Sequence, residues 1–219
     1  MKPGEDAVRI LFTRKGAFGI ITDTMSVLIT GIAVVMLGWM GITYFTETTI
    51  EKPAYTVVEK KSGYEIREYD AFLVASTKTQ GDFDQSRSQG FRTLAGYIFG
   101  GNKSAEKIKM TAPVIQRKSQ DDQTLAFVVP KKYTRDTLPE ANDPRIQFEV
   151  IEAKRLAALS FGGFANEEDV KSKDQLLLSQ LKADGYTPTG NSIYASYNSP
   201  FAFPLMKRHE ILIEINEQP

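Results

Sequence analysis

The chain has 219 residues, no cysteine and a single histidine, and its 27 Lys and Arg residues balance its 27 Asp and Glu residues. Without cysteine it can form no disulfide, thiolate metal site, cysteine nucleophile or CxxCH-type cofactor attachment. One histidine excludes a His-rich zinc site within one chain. The neutral net charge, without a basic stripe, argues against nucleic acid as a partner. The length allows one sizeable domain and an additional segment.

The additional segment is an uncharged stretch over residues 24–46. About 20 apolar residues span the hydrocarbon core of a bilayer, and aromatic residues prefer its interface. With Trp39 and Tyr44 near one end, the stretch predicts a single transmembrane helix in contact with the lipid bilayer. A cleaved signal peptide would have a shorter apolar core and small residues at a cleavage site. A buried helix of a soluble protein is the other alternative, but this stretch is apolar on every face.

The orientation of this helix follows from the charges that flank it. Residues 4–23 and residues 47–66 each carry three Lys or Arg residues, so the two flanks are tied. Because a long following domain crosses largely regardless of its charge, the short tail over residues 1–23 is predicted to be cytoplasmic. The rest of the chain is then exported, which in a bacterium places it on the periplasmic side of the inner membrane. The sequence leaves the oligomeric state open.

A linker over residues 47–53 is predicted to lead into one domain over residues 54–219, in which a strand–strand–helix pattern occurs twice. Such a unit cannot bury its own apolar face, so two packed units with a cleft between them are expected. The corresponding segments are 64–68 with 148–152 and 72–76 with 156–160, so both pairs have the same offset.

Apolar periodicity and turn residues predict the other elements in chain order. Asp82 and Asn166 are expected to cap the two helices of this domain. The whole order predicts an α+β fold, a distorted antiparallel β-barrel of two pseudo-repeated halves with two packed helices, preceded by the transmembrane helix. The predicted strands are 55–58, 64–67, 72–79, 107–116, 125–129, 146–152, 155–161, 192–197 and 207–215.

Signatures of catalysis are missing from the sequence. There is no glycine-rich phosphate loop with the required spacing, and no nucleophile-elbow motif supplies a serine for a triad. Glu65 and Glu68 fall at opposite parities of a strand, so they should point to opposite faces. The prediction is therefore a protein that is not an enzyme.

The loop over residues 198–206 is unusual because it carries large apolar side chains between prolines. Either these side chains cover the end of the barrel or the first domain helix, or the loop and that helix form two lips of an apolar ligand cleft. Met110 shares strand parity with Ile108 and Ala112, which favours a core position. The apolar residues of the loop are Phe201, Phe203, Leu205 and Met206.

His209 shares a predicted strand face with Ile211 and Ile213, so it should lie on the buried side near the start of the last strand. Such a histidine is either a core or rim residue or an axial metal ligand. Glu210 has the opposite parity and is predicted to point outward. The nearby basic residues are either solvated or arranged to pair with acidic groups of a ligand at the cleft rim. They are Arg87, Arg92, Lys207 and Arg208.

Six motifs, in order across the whole predicted domain, resemble the SOUL haem-binding protein family. The block KIKMTAPV at residues 107–114 is the most diagnostic. The others occupy residues 64–69, 96–102, 161–164, 197–200 and 208–211.

This resemblance implies a fold similar to the effector-binding domains of the gyrase-inhibitor-like group. It also implies non-covalent binding of haem b or another porphyrin in an apolar groove between the first domain helix and the loop before the last strand. His209 would be the candidate iron ligand. The implied contact residues are Arg87, Phe91, Arg92, Leu94, Ala95, Ile98, Met110, Phe201, Phe203, Leu205, Met206 and Arg208.

The chain departs from the family pattern at several points, and one is a more apolar loop, with Phe203 where a basic residue would suit a propionate. Glu68 stands where some members place a candidate axial histidine, and His209 stands where members usually carry asparagine. The transmembrane helix is an addition to the typical soluble member. Three alternatives stay open: a small-molecule hydrolase, an effector-binding domain of the related fold, and a tethered interaction domain without a small ligand. A hydrolase would need a carboxylate or tyrosine in the cleft, such as Glu210, Tyr69 or Tyr97.

Overall fold

The computed structural model describes residues 5–119 and 122–216, and the chain divides after Phe45 into two compact units. Helix α1 runs over Glu5–Thr49. Within it, Met25–Thr49 is long and apolar enough to cross a membrane, with a mean hydropathy of 2.1. The helix extends beyond the predicted span at both ends, and most at its start. Helical structure therefore includes residues 5–23 of the predicted tail, and residues 1–4 lie outside the described residues.

The second unit contains nine strands and two further helices within its described residues. Its strands form one curled antiparallel sheet, a half-barrel, which confirms the predicted α+β fold. A short 3-10 turn over Pro204–Met206 precedes the last strand. The elements are β1 Tyr55–Lys60, β2 Glu65–Tyr69, β3 Phe72–Thr79, α2 Phe83–Ile98, β4 Val114–Ser119, β5 Asp122–Val128, β6 Ile146–Ile151, β7 Lys154–Gly162, α3 Glu167–Ala183, β8 Ile193–Ser196 and β9 Arg208–Glu214.

The strand order β1-β2-β7-β9-β8-β4-β5-β3-β6 shows the predicted repeat as a pseudo-twofold arrangement centred between β4 and β8. The first half contains β2, β3, α2, β4 and β5, and the second contains β6, β7, α3, β8 and β9. Equivalent residues pair in the same way in both halves. Ser76 pairs with Ala126, and their equivalents in the second half, Ser160 and Glu210, also pair with each other. The outer strands are exchanged between halves, because β2 pairs with β7 and β6 pairs with β3.

Both helices begin at the predicted caps. Asp82 accepts a hydrogen bond from the backbone of Gln85, and Asn166 forms a reciprocal capping box with Asp169. Both helices lie on one face of the sheet, where α2 packs chiefly on β3 and β5, and α3 on β7 and β9. The helix-free face is buried as well, in clusters that include Tyr69, Leu212 and Ala126.

The strand predicted over residues 107–116 is wrong in its first part. Strand β4 begins only at Val114, and residues 107–113 form no strand. Pro113 has no N–H to give to a ladder. The preceding N–H groups have other acceptors, since Ile108 donates to the carbonyl of Ile98 and Ala112 donates to that of Glu51. Met110 is therefore a half-buried loop residue packed against the core beneath α2.

Candidate functional site

The centre of the sheet lies between the two helices, because α2 and α3 are seated on strands to either side of β4 and β8. There Val114 pairs with Ser196, and both are only half-buried. The cross-strand row through this pair runs from Phe127 on β5 to His209 on β9. We use the name seam for one surface of the domain. It consists of Val114, Ser196, Phe91 of α2, and the residues Phe203 and Met206 of the loop that follows β8.

The α2 side of the seam carries an aromatic ring and a cation. Phe91 is 38% exposed, and its ring packs edge-on against Phe127 with centroids 5.2 Å apart. The guanidinium of Arg87 pairs with Asp84 at 2.7 Å and lies 5.3 Å from the ring of Phe83. The ion pair of Arg87 and Asp84 therefore lies beside an apolar surface.

Four other predicted contacts on α2 lie elsewhere. Leu94, Ala95 and Ile98 are buried in the core, so they support the helix and do not reach a ligand on the surface. Arg92 lines a groove of about 500 Å³ on the other side of α2, with Gln89, Thr93 and the segment from Asn142 to Ile146. No residue of the loop before β9 lines this groove with Arg92.

The loop before β9 divides its apolar residues between inside and outside. Phe203 is buried and Met206 is half-buried, whereas Phe201 and Leu205 are 85% and 83% exposed. Internal hydrogen bonds fix the loop, including Met206 N–H to the carbonyl of Phe203 at 2.9 Å. Phe203 and Met206 therefore face the interior of the domain, and Phe201 and Leu205 face away from it.

His209, near the start of β9 and just after this loop, is buried, and both of its ring nitrogens have partners. Nε2 is 3.0 Å from the carbonyl oxygen of Gly163, which can only accept, so Nε2 carries the proton. Nδ1, 2.8 Å from the hydroxyl of Tyr194, then accepts from it. Burial lowers the pKa of His209, and the charges of Lys207 and Arg87 lower it further. The hydrogen bond to Gly163 raises this pKa but does not outweigh burial. His209 is therefore neutral, and ligation of iron would require one of these two bonds to break.

A cluster of charged and hydroxyl groups surrounds Glu210 on the helix-free face. The carboxylate of Glu210 is fully buried. The prediction that Glu210 points outward is wrong, because the curled sheet buries this face of β9 as well as the face that carries His209. Four side chains donate hydrogen bonds to it: Arg67 at 3.0 Å, Arg208 Nε at 3.0 Å, Ser160 at 2.8 Å and Tyr197 at 2.7 Å.

The electrostatics of this cluster keep the carboxylate of Glu210 ionised. Burial alone would raise the pKa of Glu210, but the positive charges of Arg67 and Arg208 outweigh burial and hold the pKa below its usual value. Burial and the charge of Glu210 raise the pKa of Tyr197, so its hydroxyl stays protonated and donates. The tyrosines of the hydrolase alternative are also engaged, since Tyr97 donates to the carbonyl of Pro139 and Tyr69 accepts from Arg67. Each of these groups has a structural partner.

Sequence reasoning missed this cluster and the central residue Val114 of the seam. A signal for the cluster exists in β9, where Ile211, Leu212 and Ile213 are apolar at both strand parities. Such a continuous run is typical of a strand that is buried on both faces. Among the described residues, no group of three or more His, Asp or Glu side chains is placed to hold a metal ion.

Comparison with known sequences assigns the chain to a family. A family model described as "SOUL heme-binding protein" matches residues 50–214. "Heme-binding protein 2" of Homo sapiens is 31% identical over 184 residues, which cover 77% of this chain and 88% of the relative. "Heme-binding protein 2" of Mus musculus is 29% identical over 187 residues, which cover 78% of this chain and 89% of the relative.

Comparison with solved structures shows the fold alone, because the sequence identities are low. The C-terminal domain of EcmrR aligns with a TM-score of 0.57 and 13% identity, over 75% of this chain and 99% of that domain. A hydrolase from Listeria innocua aligns with a TM-score of 0.52 and 12% identity, over 73% of this chain and 94% of that protein.

Proposed function

Since the chain belongs to the SOUL heme-binding protein family, we propose that it is a membrane-anchored protein that holds haem or another tetrapyrrole non-covalently in the seam. The observation that carries this proposal is the half-exposed floor of Val114 and Ser196, which the two helices leave open between them. Binding, and not catalysis, is proposed because the buried carboxylate and tyrosines already have structural partners.

The residues of the seam fit a flat apolar ligand with acidic edges. Phe91 presents part of a ring, Val114 an aliphatic side chain, and Arg87 a guanidinium that a carboxylate of the ligand would share with Asp84. Bound haem would supply a large apolar plane, so burial of apolar surface would provide most of the affinity, at about 25 cal/mol per Å². We propose binding without iron ligation by His209, since its two nitrogens are already hydrogen-bonded.

The anchor in this proposal is α1. Its segment Met25–Thr49 has the length and composition of a span. We propose that residues 24–46 cross the inner membrane with the N-terminus in the cytoplasm and the domain on the exported side. The anchor would keep an apolar ligand site close to the bilayer.

The test is a haem titration of the full chain in detergent micelles, followed by absorbance in the Soret region. We expect saturable binding near one haem per chain. Phe91→Asp should raise the dissociation constant about tenfold, since about 60 Å² of lost apolar contact is worth about 1.5 kcal/mol. The matched control is Leu176→Asp on α3, because Leu176 is 43% exposed and Gln180, one turn later, bonds to the distant β1–β2 turn.

Each result of this titration has a defined meaning. Equal affinities of the Phe91 and Leu176 variants would place the ligand outside the seam. A Soret band that shifts in His209→Ala, with the binding retained, would make His209 the iron ligand. Absence of saturable binding by the unmodified chain would overturn the haem-binding proposal itself.

A further inference from the structure

The loop before β9 lies beside the segment through which the chain leaves α1. The backbone N–H of Ser199 is 3.4 Å from the carboxylate of Glu47, which belongs to the last turn of α1. Lys52 donates to the carbonyl of Glu47 at 3.0 Å. The point of entry into the domain and this loop therefore share one end of the domain.

The same loop is ordered and presents apolar side chains outward. Ala202 N–H donates to the carbonyl of Ser199 at 3.1 Å, and Lys207 N–H donates to that of Pro204 at 3.2 Å. Phe201 and Leu205 are nevertheless more than four-fifths exposed. Large apolar side chains held outward by an ordered loop mark an interaction surface.

We propose that Phe201 and Leu205 insert into the interfacial layer of the bilayer that α1 crosses, and so form a second membrane contact. The proposal rests on the anchor proposed above. The polar layer on each side of a bilayer is about 5–8 Å thick, and Glu47 directly follows the predicted span. A loop within 3.4 Å of Glu47 therefore lies at the level of the lipid headgroups.

The chemistry of this end favours an apolar contact over an electrostatic one. Glu47 and Glu51 place two carboxylates here, each already accepting a backbone hydrogen bond, from Ser199 and Lys131 respectively. The ammonium of Lys207 is turned to the carbonyl of Pro200 and lies 4.5 Å from the ring of Phe164. The charged groups named here already have partners, so they attract anionic lipid headgroups only weakly. Salt should therefore have little effect on the contact.

This assignment deepens the proposed function. It removes Phe201 and Leu205 from the haem contacts that the sequence predicts, and leaves Phe203 and Met206 on the inner side of the loop. The seam would then open next to the bilayer, so that an apolar ligand could enter it from the lipid without crossing water.

The experiment uses the full chain in liposomes of zwitterionic lipid brominated in the acyl chains. Because the chain contains no cysteine, Leu205→Cys can carry a single environment-sensitive fluorophore. The matched control is Leu176→Cys on α3, and the single tryptophan, Trp39, reports on α1 itself. We expect quenching of Trp39, and a blue-shifted, quenched label at position 205 that 1 M salt does not release, but neither change at position 176.

The outcomes separate the two proposals. If Trp39 is quenched and the labels at 205 and 176 behave alike, the loop does not insert and the anchor stands. If Trp39 is not quenched either, the anchor proposal fails together with the docking proposal. If 1 M salt returns the label at 205 to the behaviour of the control, the contact is electrostatic and the proposed insertion is wrong.

Discussion

The two halves of the domain differ at a pair of consecutive positions that the repeat makes equivalent. The first half has Leu125 and Ala126 on β5, and the second has His209 and Glu210 at the same register positions of β9. All four residues are buried. The same backbone thus carries two apolar side chains in one half and an imidazole and a carboxylate in the other.

The difference shows what burial of polar groups demands of the surroundings. On the helix-free face, Ala126 lines an apolar cavity of about 50 Å³ together with Ile115 and Ile151. Arg67, the equivalent of Ile151, instead binds the buried carboxylate of Glu210. A single exchanged residue would leave a buried charge without its counter-charge, so the polar half depends on several residues at once.

The largest effect should follow from breaking this cluster. Glu210→Ala leaves the guanidinium of Arg67, which is 3% exposed, with Glu65 as its remaining anionic partner. We expect a loss of about 3–5 kcal/mol in the free energy of unfolding, because removing one partner of a buried ion pair leaves the other charge only partly compensated. Denaturant unfolding of the full chain in micelles, followed by circular dichroism, measures this loss.

The control gives the second half the residues of the first. Arg67→Ile combined with Glu210→Ala removes both charges, so the double variant should be more stable than Glu210→Ala alone. Arg208 is 38% exposed and can turn to water in that variant. A double variant whose loss equals the sum of the two single losses would show that Arg67 and Glu210 are not coupled.

A smaller effect should follow on the helix face of the apolar half. A Cβ added at Gly90 of α2 would lie 2.7 Å from Cβ of Leu125 and 3.0 Å from Cγ2 of Thr79. Gly90→Ala should therefore destabilise the domain by about 1–3 kcal/mol through overpacking. Gly96→Ala, where nothing lies within 4 Å, should instead stabilise it by about 0.5–1 kcal/mol. Equal unfolding midpoints for the two variants would contradict this close seating of α2.

The smallest effect concerns the neutral imidazole of the polar half. The pKa of His209 in the folded protein lies below its ordinary value, so between that pKa and about 6.5 the unfolded chain binds more protons. Stability should then fall as the pH is lowered through about 6.5, by at most about 1.4 kcal/mol per pH unit. Unfolding midpoints between pH 8 and pH 5.5 measure it.

The matched variant for this pH dependence is His209→Gln. A glutamine amide can donate to Gly163 and accept from Tyr194 but does not titrate. Because His209 is the only histidine of the chain, the variant should have a nearly flat profile in this range. A profile with the unchanged slope would assign the proton uptake to another group.

Local patterns predicted much of the fold. The repeated strands, the turns and the caps at Asp82 and Asn166 depend on neighbouring residues, and the structure bears them out. Residues 107–113 alternate like a strand, but their N–H groups find acceptors such as the carbonyls of Ile98 and Glu51. That choice depends on segments distant in sequence, so alternation alone could not exclude it.

The site was predictable only in part, because exposure depends on tertiary packing. Phe91 and Leu94 stand three positions apart on one helix, yet one is 38% exposed and the other fully buried. Arg67 and Glu210 are far apart in the sequence, so no local pattern pairs them. The sequence prediction assumed that one face of the sheet is exposed to solvent. It therefore placed Glu210 at the surface, whereas the structure buries this residue.

The exchange of outer strands between the halves has a consequence for synthesis on the ribosome. Strand β2 ends at Tyr69 and can pair early with β1, but its other neighbour, β7, begins only at Lys154. At about 5–20 residues per second, that partner emerges roughly 4–17 seconds later. During this interval the free edge of β2 can pair with any other strand nearby, so the chain is open to mispairing at this edge while it is still being made.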